Sequence, residues 1–319
     1  MGNADHHHQS ATRSHEAAEG TGAGPGHTKT GAGPDHAHAH AHAHGTGEAG
    51  ETAMAELLDL DAEVLFSYLS EVTAWVHDLA AGGPHQRILD LGSGTGAGAV
   101  ALAQRFEGAE VIAVDKSAYL LARLREKIRD LGVADRVRTV EADLDAAWPV
   151  FGPVDLAWAS SSLHHMADPD RALGEIFATV RPGGLLVAAE IDSFPRFLAD
   201  ADHGSSGLEA RCHDVMAGIR AEEVPHMGSD WGALLSKAGF TIEAERTFDI
   251  VLTPPLPTAT GRYAQASLRR IRSGLDDRLS TADLAALDTL ISGDGPDGVL
   301  RRDDLTVRAE KTVWAARRP

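Results

Sequence analysis

The feature that most restricts how this chain can fold is the run Arg87-Ile88-Leu89-Asp90-Leu91-Gly92-Ser93-Gly94-Thr95-Gly96, an apolar strand that feeds directly into a glycine-rich turn opening a helix. Glycines at such a turn let a ligand lie against the backbone where a Cβ would collide, and the first amides of the following helix face it. Further β-like runs follow at Glu110 to Asp115, Arg136 to Asp143, Val154 to Ser160 and Leu185 to Ile191. Amphipathic helical stretches separate them at about Gly98 to Phe106, Ala118 to Leu131 and Pro169 to Val180. Strands alternating with helices imply a parallel sheet covered on both faces. The punctuation agrees: Asp168-Pro169 supplies an N-cap and a first-turn proline, and Arg181-Pro182-Gly183-Gly184 ends the same helix.

The flanks differ in kind. Residues 1–50 are rich in Gly, Ala, Thr and His and nearly devoid of branched aliphatic or aromatic side chains, so they have nothing to bury and read as a disordered tail. His36, His38, His40, His42 and His44 alternate with Ala, and His6, His7 and His8 cluster, so this tail can gather divalent metal adventitiously; no defined metal site is read from it. Residues 51–319 are expected to form one domain with a core over 84–193. Apolar residues at helical spacing from Met54 to Ala80 predict a single helix ended by Gly82-Gly83-Pro84. After the core, Ser229 to Gly239 reads as a helix, Phe240 to Leu252 and Leu305 to Ala316 as strands, and Arg262 to Ile291 as two helical stretches.

The chain has 47 Asp plus Glu against 29 Lys plus Arg, a formal charge of −18, so its average field repels phosphate backbones and argues against a nucleic-acid partner. The single cysteine, Cys212, cannot form an internal disulfide and cannot supply a multi-thiolate metal site. Neither a cleavable signal core nor an apolar run long enough to span a bilayer is visible, and the expected location is cytoplasmic, with no membrane partner. The sequence sets no oligomeric state; a homodimer is one arrangement it allows.

Asp115 closes the second strand 19 residues after Gly96, where a carboxylate can accept both ribose hydroxyls of an adenosine-type ligand. Gly92-Ser93-Gly94-Thr95-Gly96-Ala97 by itself also satisfies the dinucleotide fingerprint. Asp90 decides between the two ligands. A carboxylate at the strand end would repel a pyrophosphate but suits the ammonium and sulfonium of S-adenosylmethionine.

The segment Ile88 to Gly96 resembles the first motif of class I S-adenosylmethionine-dependent methyltransferases, and later segments match in order. Val111 to Asp115 resembles the ribose-binding strand, Glu141-Ala142-Asp143-Leu144 the adenine-side acidic loop, and Val154 to Ala159 the fourth strand. Leu163-His164-His165 and the stretch from Leu173 to Val187 are similar to the small-molecule branch containing ubiquinone and menaquinone biosynthesis enzymes. The resemblance implies an α/β, Rossmann-like, doubly wound and mostly parallel seven-stranded sheet with helices on both faces. It implies an added helical lid as well, assigned here to residues 54–80, 194–227 and 254–298. S-adenosylmethionine is then the implied cofactor. Asp90, Gly92, Ser93, Gly94 and Gly96 would lie near the methionine moiety, Asp115 on the ribose, and Asp143 and Leu144 at the adenine, with Lys116 and Ser160 completing the set.

Methyl transfer to an O, N or C atom of a small molecule needs in-line positioning, exclusion of water and, for an O or N acceptor, a base. His165, and after it His164, are the candidate bases; they follow the fourth strand at the carboxyl edge of the sheet, and as adjacent residues they are expected to point apart. Glu190 and Asp192 are alternatives at the same edge. The lid segments offer Phe194, Phe197, His203, His213, Met216, His226, Met227, Arg262 and Tyr263 for acceptor contact. Two other readings share part of these signals: an NAD(P)-dependent oxidoreductase, which lacks a recognisable hydride-transfer set here, and a non-enzymatic S-adenosylmethionine-binding or metal-sequestering protein built around the His-rich tail.

Overall fold

The computed structural model describes residues 47–80, 87–199, 207–293, 295 and 297–319. The expected tail therefore lies outside the described residues up to residue 46, as do its histidine clusters and the lid candidate His203. The first helix, α1, is Glu48–Val64 and starts inside the span assigned to the tail.

Strands β1 (Arg87–Leu91), β2 (Glu110–Asp115), β3 (Val137–Glu141), β4 (Val154–Ser160), β5 (Val180–Arg196), β6 (Thr241–Leu252) and β7 (Val307–Arg317) form one sheet in the order β3-β2-β1-β4-β5-β7-β6. The first five are parallel to one another, and β7 inserts antiparallel between β5 and β6. The expected mostly parallel seven-stranded sheet is what forms. Its order also bears on the ligand: dinucleotide folds of order 3-2-1-4-5-6 carry no antiparallel strand inserted before the last position.

Central strands are buried nearly end to end, as helices on both faces require. Ile88, Val111, Leu156 and Val187 face one apolar layer; Leu89, Ile112, Ala157 and Leu186 face the other. Helices α3 (Ala97–Arg105), α4 (Ala118–Asp130) and α5 (Pro169–Thr179) fill the crossovers. Caps set their starts: the Ser117 hydroxyl accepts from the Leu120 amide at 3.2 Å, and Asp168 accepts from the Arg171 amide at 3.0 Å ahead of Pro169.

Two elements depart from expectation. The single helix over 54–80 is two, α1 and α2 (Phe66–Leu79), broken at the buried Leu65. The break lets α1 turn Met54, Leu58 and Asp61 to the ligand cavity while Tyr68 and Trp75 of α2 meet Phe248 on β6 edge to face. Helix α6 (Leu208–Glu223) falls inside residues 194–227, one of the spans assigned to the helical lid, where Leu208, Cys212, Val215, Met216 and Ile219 recur at helical spacing. Strand β5 is much longer than Leu185 to Ile191. Pairing with β4 ends at Ser160 and Ala189, but β5 stays paired to β7 as far as Arg196 and Arg308, so β5, β7 and β6 project past the edge of the parallel sheet. The remaining helices are α7 (Trp231–Lys237), α8 (Thr260–Gly274) and α9 (Thr281–Ile291). No helix among the described residues is long and apolar enough to cross a membrane.

Candidate active site

A cavity of about 380 Å³ opens at the carboxyl edge of β1, β2 and β4, under α1. Five carboxylates border it: Asp90 and Asp115 near the ends of β1 and β2, Asp143 and Asp145 just after β3, and Asp61 on α1.

Asp90 is 2% exposed and lies between Ala113 and Trp158 in the sheet register. Burial, with the like charge of Asp115 adding to it, raises its carboxyl to about 7 against the opposing hydrogen bond from the Ala99 amide. Its Oδ2 has no hydrogen-bond partner, and neither have the neighbouring Ser93 Oγ and Trp158 Nε1. A Cβ on Gly98 would come within 3.0 Å of Asp90 Oδ2 and 2.9 Å of Trp158 Nε1, so the space over this carboxylate depends on a missing side chain. Buried polar groups are nearly always satisfied, and three orphans lining one cavity mark a site built for a polar ligand.

Asp115 is held by backbone: Oδ2 accepts from the Gly94 amide at 2.8 Å and Oδ1 from the Ser117 amide at 2.9 Å. The carboxylate thereby ties the glycine turn to the start of α4. Asp143 is exposed, accepts from the Asp145 amide at 3.0 Å, and precedes the buried Leu144 at the cavity wall. Lys116 and Ser160 also border the cavity, as do Gly92, Ser93 and Gly94.

Gly96 does not. It caps α3 in the left-handed region at φ +87°, and a Cβ there would lie 2.1 Å from Leu124 Cδ1, so its role is to seat the helix against α4 rather than to touch a ligand. Gly92, at φ +68°, leaves no room for a side chain either, because Ser162 Cβ would be 2.6 Å away. Ser162 in turn donates to the Leu91 carbonyl at 2.8 Å, locking the end of β4 to the turn after β1.

The two histidines separate by function. Both sit in a 3-10 turn, Leu163–His165, and their rings pack on each other at 4.1 Å instead of pointing apart as an extended segment would make them. His164 is 3% exposed, meets Glu190 Oε2 through Nδ1 at 2.5 Å, and does not border the cavity. Glu190, also 3% exposed, accepts from the Leu163 amide at 2.9 Å with its other oxygen and so pins the whole turn to β5. It is no strand-end charge left in water. His165 is exposed and borders the cavity. Asp192 accepts from the Thr312 hydroxyl at 2.7 Å.

Among the described residues, none of the cavity lining comes from 194–227 or 254–298. Phe197 is fully buried and packs edge-on to Tyr263, which reaches the site only by donating to Asp61 Oδ1 at 2.5 Å. Arg220 lies over the Phe194 ring at 3.9 Å, and burial lowers the neighbouring His213 to about 4. Sequence reasoning missed Asp61, Trp158 and Lys311 as cavity residues. A signal existed for the last: Lys311 occupies a core-phase position of β7 where Val307, Ala309, Val313 and Ala315 are all buried. Among the described residues no group of three or more His, Cys, Asp or Glu is placed to hold a metal ion.

Residues 88–184 match the family model described as a methyltransferase domain. The chain is similar to the demethylmenaquinone methyltransferase of Thermus thermophilus, 38% identical over 119 residues that cover 37% of this chain and 53% of the relative. The malonyl-[acyl-carrier protein] O-methyltransferase of Laribacter hongkongensis is 31% identical over 172 residues, 52% of this chain and 54% of the relative. The tRNA 5-carboxymethoxyuridine methyltransferase of Escherichia coli K12 is 36% identical over 110 residues, 34% of this chain and 41% of the relative. This chain thus spans about half, or less, of the length of these curated relatives. Residues 88–184 are thus the part of the chain that matches a methyltransferase domain, and Asp90, Asp115 and Asp143 at the cavity lie within it.

Proposed function

We propose that the protein uses S-adenosylmethionine to methylate an O, N or C atom of a small molecule. The observation that carries this reading is the unpartnered buried oxygen of Asp90 beside the backbone-held Asp115, which offers negative charge to a cationic ligand and denies it to a pyrophosphate. S-adenosylmethionine would supply a methyl group already activated on a sulfonium. Asp90, Ser93 and the Gly92 and Gly94 backbone would hold its amino-acid end, Asp115 the ribose, and Asp143 with Leu144 the adenine. Helix α1, through Met54 and Leu58, serves as the lid that keeps water from the reacting atoms.

A small acceptor, and not a nucleic acid, is favoured by the net charge of −18, although one relative is named for a tRNA. His165 is the group at the cavity wall able to take a proton from an O or N acceptor, while His164 and Glu190 hold the turn that presents it. Replacing His165 with Ala should lower turnover and flatten its acid limb while leaving cofactor affinity intact; turnover that stays near normal across the pH range removes the base role.

Calorimetric titration of the full chain with S-adenosylmethionine, S-adenosylhomocysteine and NAD tests the reading as a whole. Uptake of the first two and not of the third is expected. Uptake of NAD alone would overturn it.

A further inference from the structure

Lys311 is 7% exposed on a core-facing phase of β7, and among the described residues its ammonium has no hydrogen bond and no ion pair. Its one contact of that kind is with the Tyr68 ring, whose centroid is 5.2 Å from Nζ. The side chain borders the cavity. Its ammonium therefore stands at the cavity wall as a cation with no carboxylate within ion-pair distance, where an anionic ligand can reach it.

Three carboxylates, Asp61, Glu190 and Asp192, lend negative charge to the surroundings of Tyr68, yet each has a hydrogen-bond partner other than Lys311. Asp61 takes the Tyr263 hydroxyl hydrogen at 2.5 Å, Glu190 is held by His164 at 2.5 Å, and Asp192 by Thr312 at 2.7 Å. Placement separates Lys311 from the donor's carboxylates. It pairs with Ile191 on the projecting part of the sheet, two residues beyond the last β4 partner Ala189, whereas Asp90 and Asp115 lie on the parallel strands. The cavity therefore carries Asp90 and Asp115 on the parallel strands and the Lys311 cation on the projecting part of the sheet, with Met54, Leu58 and Met166 supplying apolar wall.

We propose that Lys311 anchors a carboxylate of the methyl acceptor, which makes the acceptor an organic acid with an apolar body. This deepens the methyltransferase reading and rests on it. An anion held by Lys311 leaves the opposite end of the acceptor free to meet the donor methyl, so the residue sets both specificity and orientation.

The test uses the full chain saturated with S-adenosylhomocysteine and titrated with benzoate and hexanoate against benzamide and hexanamide. The acids should bind at least about tenfold tighter than the amides, the increment of one charge-assisted hydrogen bond. Lys311→Met should erase that preference and Lys311→Arg should keep most of it, with melting curves showing that both variants fold. Acids that bind no better than amides, or a preference that survives in Lys311→Met, overturn the proposal. A fall in S-adenosylhomocysteine affinity in Lys311→Met also overturns it, because Lys311 would then serve the donor's own carboxylate. Failure of the unsubstituted chain to take up S-adenosylhomocysteine at all would instead remove the methyltransferase reading beneath it.

Discussion

Burial raises the Asp90 carboxyl to about 7 from an ordinary 3.8, so between those values the folded chain keeps a proton that the unfolded chain has released. Stability is thus fullest below pH 4 with respect to this group and falls as pH rises toward 7, by on the order of 4 kcal/mol at most. Asp90→Asn should melt at a higher temperature than the parent at pH 8, with the gap closing near pH 4, and should lose S-adenosylmethionine binding. A melting difference that does not change with pH would contradict the assignment. For Asp115→Ala, donor affinity should fall by about 2–3 kcal/mol, since the substitution removes ribose acceptors and also frees the amides of Gly94 and Ser117. Asp90, Asp115, Gly92 and Gly94 were legible as cavity residues because each stands beside a strand end in a short contiguous pattern. Lys311 was not read as functional, because its place at the cavity is set by β7 pairing with β5, and no local pattern records that pairing.

At the scale of elements, the 3-10 turn bearing His165 depends on one carboxylate. Glu190→Ala would leave His164 without its buried partner and the Leu163 amide without its acceptor, and should cost about 3–5 kcal/mol in chemical denaturation. Turnover should fall with it, while Glu190→Gln, which can still accept from that amide, should retain more of both. The turn after β1 is equally exacting. Gly96→Ala places a methyl group against Leu124 at a positive φ, and should destabilise the domain by about 2 kcal/mol or more, read from the same denaturation curves. The strand and helix pattern of the core was legible from period and punctuation, within a few residues. The break at Leu65 was not, because the apolar period runs through it and only the two different partners, the cavity for α1 and β6 for α2, demand a change of direction. Likewise the extension of β5 to Arg196 follows from its partner β7, which the sequence of β5 does not contain.

Across the whole molecule, the net charge of −18 should draw in a cationic donor faster than a neutral one. S-adenosylmethionine and S-adenosylhomocysteine differ by that charge, so stopped-flow association followed through the fluorescence of Trp158 and its neighbours compares them directly. The ratio of their association rates should decline as ionic strength rises past a Debye length of about 10 Å at 0.1 M. A salt-independent ratio would show that the global field plays no part. The mostly parallel sheet and its covered faces could be read in advance; the antiparallel insertion of β7, which carries Lys311 to the cavity, belongs to topology and not to periodicity.

The lone oxygen of Asp90 also makes ligand capture an acid-liberating event. Burial holds a proton there into the neutral range in the unliganded protein, and a sulfonium or ammonium neighbour would drive it off into the buffer. Heats of mixing at pH 7 should then differ between phosphate and Tris, by a part of the gap between the two buffers' ionisation enthalpies, which turns the choice of buffer into a counter of protons expelled from a single side chain.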